Sequence, residues 1–285
     1  MQKYQQIVKY VLEKGTLKQN RTGIDTISFF NYNYKINLND GFPLLTTKKM
    51  NWKNILFENL WFLSGTNSVR FLHKHNIHFW DAWIYNKEFL PSAYGRHWRA
   101  FPAIAHNGVS EEHNFDQFEC LINQIKTNPF SRRLVLTNWY PPTCMSDKLP
   151  PCHLISIFNV QMIDGEPVLN LHLTQRSCDI AVGLPYNIAG YAFLLSLVGH
   201  LTDMKVGQFA HSIVDAHVYI NHKEGLKGQL EREPKQLSKI KIDSELKTIA
   251  DLNELIKNGT TDDIMNCFKI TEYTSHPFIK FEVAV

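Results

Sequence analysis

His153-Leu154-Ile155-Ser156-Ile157-Phe158-Asn159-Val160-Gln161-Met162-Ile163-Asp164-Gly165-Glu166-Pro167-Val168-Leu169-Asn170-Leu171-His172-Leu173-Thr174-Gln175 reads as two strands, 153–162 and 167–175. Asp164-Gly165 between them is a hairpin signal, because the type I′ two-residue turn needs positive φ at both central positions and Asp-Gly accepts it. Downstream, 186–202 is the longest apolar run. It contains Asn187, two glycines and His200, so it reads as a buried core helix too short to span a membrane. Residues 209–220 return to period two, and 221–229 to helical spacing. Upstream, 3–14 predicts an amphipathic helix with Tyr4, Ile7, Val8 and Val11 on one face. Phe30, Tyr32, Tyr34 and Ile36 alternate with polar residues and predict a strand over 26–38. Helices follow at 51–64, with Asn51 as cap, and at 115–127, with a short strand at 133–139. Strands and helices mix without regular alternation. This predicts an α+β sandwich built on a mixed sheet, not a Rossmann fold. The polar stretch 105–114 reads as a loop. No segment reads as a linker, so 1–285 is expected to be a single domain.

Composition narrows the function. The 285 residues carry 30 Lys+Arg and 27 Asp+Glu, a net charge of +3, with 44% hydrophobic residues. That fits a large core and a locally basic pocket, not a dedicated nucleic-acid surface. No secretory signal is visible. Cys120, Cys144, Cys152, Cys178 and Cys267 are an odd number, and no spacing reads as a zinc site. A reducing, cytoplasmic setting and no metal are the expectations.

Chemistry concentrates in a few places. Cys152 sits in Pro150-Pro151-Cys152-His153, where two prolines fix the backbone at a strand entrance. It reads as a nucleophile if cationic neighbours favour its thiolate, or as a buried structural thiol. Gln175-Arg176-Ser177-Cys178-Asp179 follows a strand and offers a guanidinium and a hydroxyl to a phosphate, unless it is an ordinary surface turn. Arg132 and Arg133 enter the 133–139 strand, where adjacent side chains point to opposite faces. Period two places Asp215, His217 and Tyr219 on one face with Phe209, His211 and Ile213, while Ala210 to Val218 of the other parity face the core. Glu58 is bracketed by Ile55, Trp61 and Phe62, surroundings that raise a carboxyl pKa. Phe79-Trp80-Asp81-Ala82-Trp83 and Tyr94-Gly95-Arg96-His97-Trp98-Arg99 could stack a planar ring or fill the core.

Together these segments resemble the thymidylate synthase family. The matching motifs are Arg21-Thr22-Gly23, Gly41-Phe42-Pro43, Thr46-Thr47-Lys48-Lys49, Glu58 with Leu60-Trp61-Phe62-Leu63, Trp80-Asp81, Tyr94-Gly95 and Ser131-Arg132-Arg133. They continue through Pro151-Cys152-His153, Gln175-Arg176-Ser177-Cys178-Asp179, Gly183-Leu184-Pro185-Tyr186-Asn187-Ile188-Ala189, Asp215-Ala216-His217-Val218-Tyr219 and the Ala284-Val285 ending. The resemblance implies reductive methylation of dUMP to dTMP with 5,10-methylenetetrahydrofolate as co-substrate. It implies Cys152 as the nucleophile at C6, with Glu58, Tyr94, His153 and Asn187 completing the catalytic set. It implies Arg21, Gln175, Arg176, Ser177, Asp179, His217 and Tyr219 as nucleotide ligands, with Arg132 and Arg133 lent by the other subunit of a homodimer. It implies Lys48, Phe79, Trp80, Trp83, Asp179, Gly183, Tyr186 and Val285 on the folate side, and neither membrane nor nucleic acid as a partner. Four positions depart from the usual pattern: His97 for Gln, Gly190 for Ser, Val214 for Gly, and Asn138-Trp139-Tyr140 for Ala-Trp-Asn. Related pyrimidine hydroxymethylases share the first half of the reaction but let water capture the methylene. A dUMP hydroxymethylase is therefore the alternative expectation.

Overall fold

A computed structural model describes residues 2–91, 93–104, 112–145 and 147–283. In chain order the elements are α1 (Gln2–Lys14), β1 (Thr16–Lys18), β2 (Thr26–Asn37), α2 (Trp52–Leu63), α3 (Arg70–Lys74), α4 (Tyr94–Arg99), β3 (Phe101–Ile104) and β4 (Glu112–Phe115). Then come α5 (Gln117–Thr127), β5 (Val135–Thr137), α6 (Pro141–Cys144), β6 (His153–Ile163), β7 (Glu166–Asp179), α7 (Gly183–Thr202) and β8 (Lys205–Tyr219). The chain closes with α8 (Lys223–Leu230), β9 (Lys239–Ile242), α9 (Ile249–Asn258), α10 (Thr261–Cys267) and β10 (Phe268–Thr271).

A mixed sheet organises the molecule, in the order β1-β2-β8-β7-β6-β5. All its pairings are antiparallel except β7 with β8, which is parallel. The hairpin joining β6 and β7 turns at Asp164 (φ 51°) and Gly165 (φ 82°), the doubly positive turn that Asp-Gly favours. The parallel pair needs a long crossover, and α7 supplies it. This helix is buried along most of its length, although its 20 residues would be enough to cross a bilayer. It begins at Gly183, earlier and longer than expected, because Pro185 is tolerated in a first helical turn. Its Gly190 meets α2 closely: a Cβ there would lie 2.8 Å from the Asn59 amide nitrogen. A Ser at Gly190 would displace that amide, so the glycine and Asn59 are matched in size. On α2, Asn51 caps as expected, its side chain accepting from the Asn54 N–H at 3.3 Å.

Several expectations need correction. Residues 176–179 continue β7 instead of forming a turn, with Ser177 opposite Asp215 and Asp179 opposite His217. The ordering force is the sheet: β8 on one side supplies ladder partners that a sequence window cannot see. Arg132 and Arg133 lie in a turn before β5 and are both exposed, so strand alternation does not separate them. The face expected along β8 also changes parity. Phe209, His211 and Ile213 are buried, but beyond Val214 the buried residues are Ala216 and Val218. The reason lies across three strands at one level, where Asn31 (φ 61°), Val214 and Arg176 all drop out of the ladders. The break turns Asp215, His217 and Tyr219 toward partial exposure. Of the expected loop at 105–114, residues 112–114 belong to β4 and the rest lies outside the described residues.

Candidate active site

Cys152 is half-buried immediately before β6. Its N–H donates to the Tyr94 hydroxyl at 2.8 Å, and its carbonyl accepts from the Arg176 N–H at 2.8 Å. The Arg176 guanidinium turns back to donate to the carbonyls of Pro151 (2.9 Å) and Pro150 (2.8 Å), and lies 5.9 Å from the Trp139 ring. One arginine therefore clamps both prolines that hold the thiol in place. Burial pushes the Cys152 thiol up, while Arg176 and the exposed Arg21 pull it down. The free thiol is consequently protonated at neutral pH, and its reactivity depends on a proton acceptor.

His153 stacks on Tyr94 (ring centres 4.8 Å apart) and meets Tyr191 edge-on (5.0 Å). Burial pushes its pKa down to about 3 against the pull of Asn187, so it is neutral at physiological pH. On α2, Glu58 accepts a hydrogen bond from the Trp80 indole N–H at 2.9 Å. Burial raises its carboxyl from 4.5 to about 7, the Trp80 bond opposing. Glu58 is thus populated both as acid and as base near neutrality, which suits a group that gives and takes one proton.

Asn187 is oriented from below. Gln175 Nε2 donates to the Ser177 carbonyl (2.9 Å), a group that can only accept, and to Asn187 Oδ1 (3.1 Å). Gln175 Oε1 therefore accepts from His211 Nε2 (3.0 Å), and His211 Nδ1 accepts from the Tyr34 hydroxyl (2.7 Å). Burial keeps His211 neutral by pushing its pKa well down. These partners assign the amide and ring orientations. The relay ends with the Asn187 oxygen held inward and its NH2 group left as the outward donor.

Asp215 is held by His217 (3.3 Å), by the Ser28 hydroxyl (2.9 Å) and by Lys18. Burial works to raise its carboxyl, but these hydrogen bonds outweigh it and hold it well below the usual range. His217 and Tyr219 rings lie 5.3 Å apart on the same strand. Burial raises the Tyr219 hydroxyl and Arg21 opposes, which puts Arg21 at the same end of the cleft.

On the other side Phe79 and Tyr186 face each other at 6.1 Å. Trp80 packs against Trp83 (5.8 Å). Gly183 has no atom nearer than 3.7 Å to where its Cβ would stand, so the backbone of the first turn of α7 can be approached closely. Asp179 Oδ1 accepts from Ala181 (2.8 Å) and Val182 (3.2 Å). The aromatic pair, the open glycine and the acidic acceptor fit a flat, hydrogen-bonding heterocycle. Lys48 is buried: it donates to the Ala181 carbonyl (2.7 Å) and lies over Phe281 (4.7 Å), and burial lowers its pKa to about 8 despite Asp179. Val285 lies outside the described residues.

A buried polar cluster lies behind His153. Among the described residues, the Tyr191 hydroxyl is buried beside Ser156 and Asn138, whose hydrogen bonds oppose the burial that raises its pKa, while His153 Nδ1 and His97 Nε2 are buried without a partner. His97 Nδ1 bonds the Asn138 carbonyl at 2.5 Å. Asn138, directly after β5, and His97 are the positions of this cluster already visible in the sequence as departures from the family pattern. A separate depression of about 770 Å³, lined by Arg70, Lys74, Arg99 and Lys257, shares none of these residues. Arg99 is already paired with Asp116 and Arg70 with Glu88, so the chemistry stays with the cysteine cleft.

The comparison with protein families gives one result: the model described as thymidylate synthase matches residues 2–285. Family members modify C5 of a pyrimidine nucleotide and depend on folate. A match over essentially the whole chain, together with a mixed sheet that gathers Cys152, Arg176, Gln175 and Asn187 around one cleft, makes this chain a member of the thymidylate synthase family.

Proposed function

We propose that this chain, acting as one catalytic domain over 1–285, converts dUMP to dTMP with 5,10-methylenetetrahydrofolate, through a covalent bond between Cys152 and C6 of the pyrimidine. The observation that carries this reading is the clamped thiol: Pro150 and Pro151 pinned by Arg176, with the Cys152 N–H on Tyr94. The Cys152 thiol gives up its proton to solvent, the Arg176 and Arg21 charges favouring the thiolate. Sulfur then attacks C6, the C5–C6 π pair shifts toward O4, and C5 becomes the nucleophilic carbon. Asn187 pairs with the O4/N3 edge of the base, donating to O4 through its NH2 group. Arg21, Arg176 and Ser177 bind the phosphate, and His217 with Tyr219 binds the sugar hydroxyl. The folate supplies the one-carbon unit and then the hydride. Phe79, Trp80, Trp83, Tyr186 and Gly183 hold its ring system, Asp179 accepts from the pterin, Lys48 turns from the Ala181 carbonyl to the glutamate tail, and Val285 belongs to the segment that closes over the site.

Glu58 moves the proton at C5 and O4. Glu58→Gln is expected to lower turnover by roughly 100- to 10,000-fold, the range of general acid–base contributions. Its effect on stability has a definite sign. The folded-state pKa is raised, so the stability associated with the protonated group is full below pH 4.5 and is lost as pH rises through about 7. The glutamine variant should therefore melt higher than the native chain above pH 7 and match it below pH 4.5. Equal melting temperatures above pH 7 would contradict a buried, proton-holding Glu58.

The same reading includes a cytoplasmic homodimer formed through the sheet. Exposed Phe30 (77%), Met162 (56%) and Ile157 on its strands support an apolar interface. Arg132 and Arg133, exposed in their turn, would reach the partner's phosphate site. Mixing Cys152→Ser chains with Arg132→Ala/Arg133→Ala chains should restore activity, because one site in each mixed dimer then holds all its groups. Mixed dimers without activity would reject shared sites.

The departures at His97 and Asn138 give the second reading its basis, since they add polar groups to the cluster that meets His153 through Tyr191. A dUMP hydroxymethylase would direct water at the methylene carbon. Trp80, buried and bonded to Glu58, supports reduction by walling the cleft against solvent. Identification of the nucleotide product separates the two readings.

A further inference from the structure

Histidines and acids are not spaced for metal binding along the sequence, yet folding brings His73, His78 and Asp81 together. Their potential ligand atoms all lie within 4.8 Å of one another. One carboxylate serves both imidazoles: Asp81 Oδ1 is 2.7 Å from His73 Nε2, and Oδ2 is 3.2 Å from His78 Nδ1. The two rings stack at 4.8 Å with their planes 28° apart.

The backbone beneath these side chains is fixed. After α3, Asn76 takes a left-handed φ of 58° and reverses the chain. The Ile77 N–H then bonds back to the Leu72 carbonyl at 3.0 Å, and the Asp81 N–H to the His78 carbonyl at 3.1 Å. Ile77 and Trp80, 3% and 8% exposed, anchor the turn from inside. His78 and Asp81 stay exposed and His73 half-exposed, free to rotate.

We propose that His73, His78 and Asp81 form a binding site for a divalent transition cation of the zinc type, with a further coordination position open to solvent. Two imidazole nitrogens and one carboxylate are the donor set of zinc and its neighbours, whereas magnesium and calcium take oxygen shells. Ligand bonds of about 2.0–2.2 Å place tetrahedral donors about 3.4 Å apart, so the His73–Asp81 pair opens and the wider pair closes, which exposed side chains achieve by χ rotation without backbone change. Both imidazoles bind in their neutral form, the proton each ring offers Asp81 moving to its other ring nitrogen. His78 and Asp81 flank Phe79 and Trp80, so a bound cation ties the Phe79 wall of the cleft to α3. That consequence rests on the proposed folate slot; the cation site does not.

The test is a titration of the full chain, freed of metal, with Co2+, followed by calorimetry and visible absorbance. Saturable binding of one ion per chain is expected, with the bands of nitrogen–oxygen ligation and no sulfur-to-cobalt charge transfer, which excludes the five free cysteines. Zn2+ should displace it and Mg2+ should not. His78→Ala and Asp81→Asn should each weaken binding by more than the about 10- to 100-fold that loss of an outer partner costs. Thermal melts of both variants establish that they are folded, and Asp81→Asn preserves a hydrogen-bonding link between the rings. Bound Zn2+ should also slow amide exchange over 75–83. Absence of saturable binding, thiolate bands, or unchanged affinity in folded His78→Ala would overturn the site. Unchanged exchange with zinc bound would overturn the tether. Because the titration needs no nucleotide turnover, its failure is distinguishable from failure of the proposed reaction.

Discussion

Cys152→Ser is expected to bind dUMP with near-native affinity and to lose turnover by about 10^4- to 10^6-fold, the scale on which removal of a covalent nucleophile acts. The binding part follows from what the substitution leaves alone. The Cys152 N–H still reaches Tyr94, its carbonyl still receives the Arg176 N–H, and Arg176 still clamps Pro150 and Pro151. The loss follows from chemistry. A hydroxyl is a far weaker acid and nucleophile than a thiol, and His153, whose pKa burial pushes down to about 3, is too weak a base to activate it. Trapping the native chain with 5-fluoro-dUMP and the folate should attach the nucleotide to Cys152. Label on Cys178 or Cys144 instead would remove Cys152 from its role.

Asn187→Asp is the second large effect. Gln175 can still donate to the inward oxygen of a carboxylate, so the relay to His211 and Tyr34 survives. The outward NH2 becomes an oxygen, which repels the uracil O4 and accepts from the cytosine amino group. A site built around a hydrogen bond rejects an unmatched partner strongly. The preference for dUMP over dCMP, read as the ratio of kcat/KM values, should fall by roughly 10^2- to 10^4-fold. An unchanged ratio would mean that Asn187 does not read the base.

The hairpin, the α7 helix and the mixed sheet were legible because local signals agreed: Asp164-Gly165 for the turn, the longest apolar run for α7, and alternation in β6. The C-terminal region beyond α8 was not read, although Thr248 with Asp251 and Thr260 with Asp263 form capping boxes that announce α9 and α10. The extension of β7 through Arg176 to Asp179 could not be read locally, since its partner β8 begins 26 residues after β7 ends, an offset visible only in the register of Asp179 with His217. The catalytic candidates were legible as residue types in motifs. Their orientation was not, because it comes from contacts distant in sequence: Gln175 with His211 and Tyr34, Asp215 with Lys18 and Ser28, Arg176 with two proline carbonyls. The polar cluster depends on Asn138, Ser156 and Tyr191 meeting behind His153, a juxtaposition that no single window contains.

Product identification from dUMP and 5,10-methylenetetrahydrofolate tests the account most directly. Nucleotide by mass and folate by absorbance are measured in one reaction with the native chain. Reductive methylation predicts dTMP and dihydrofolate in equal amounts. Release of 5-hydroxymethyl-dUMP with tetrahydrofolate would contradict it and establish the hydroxymethylase reading.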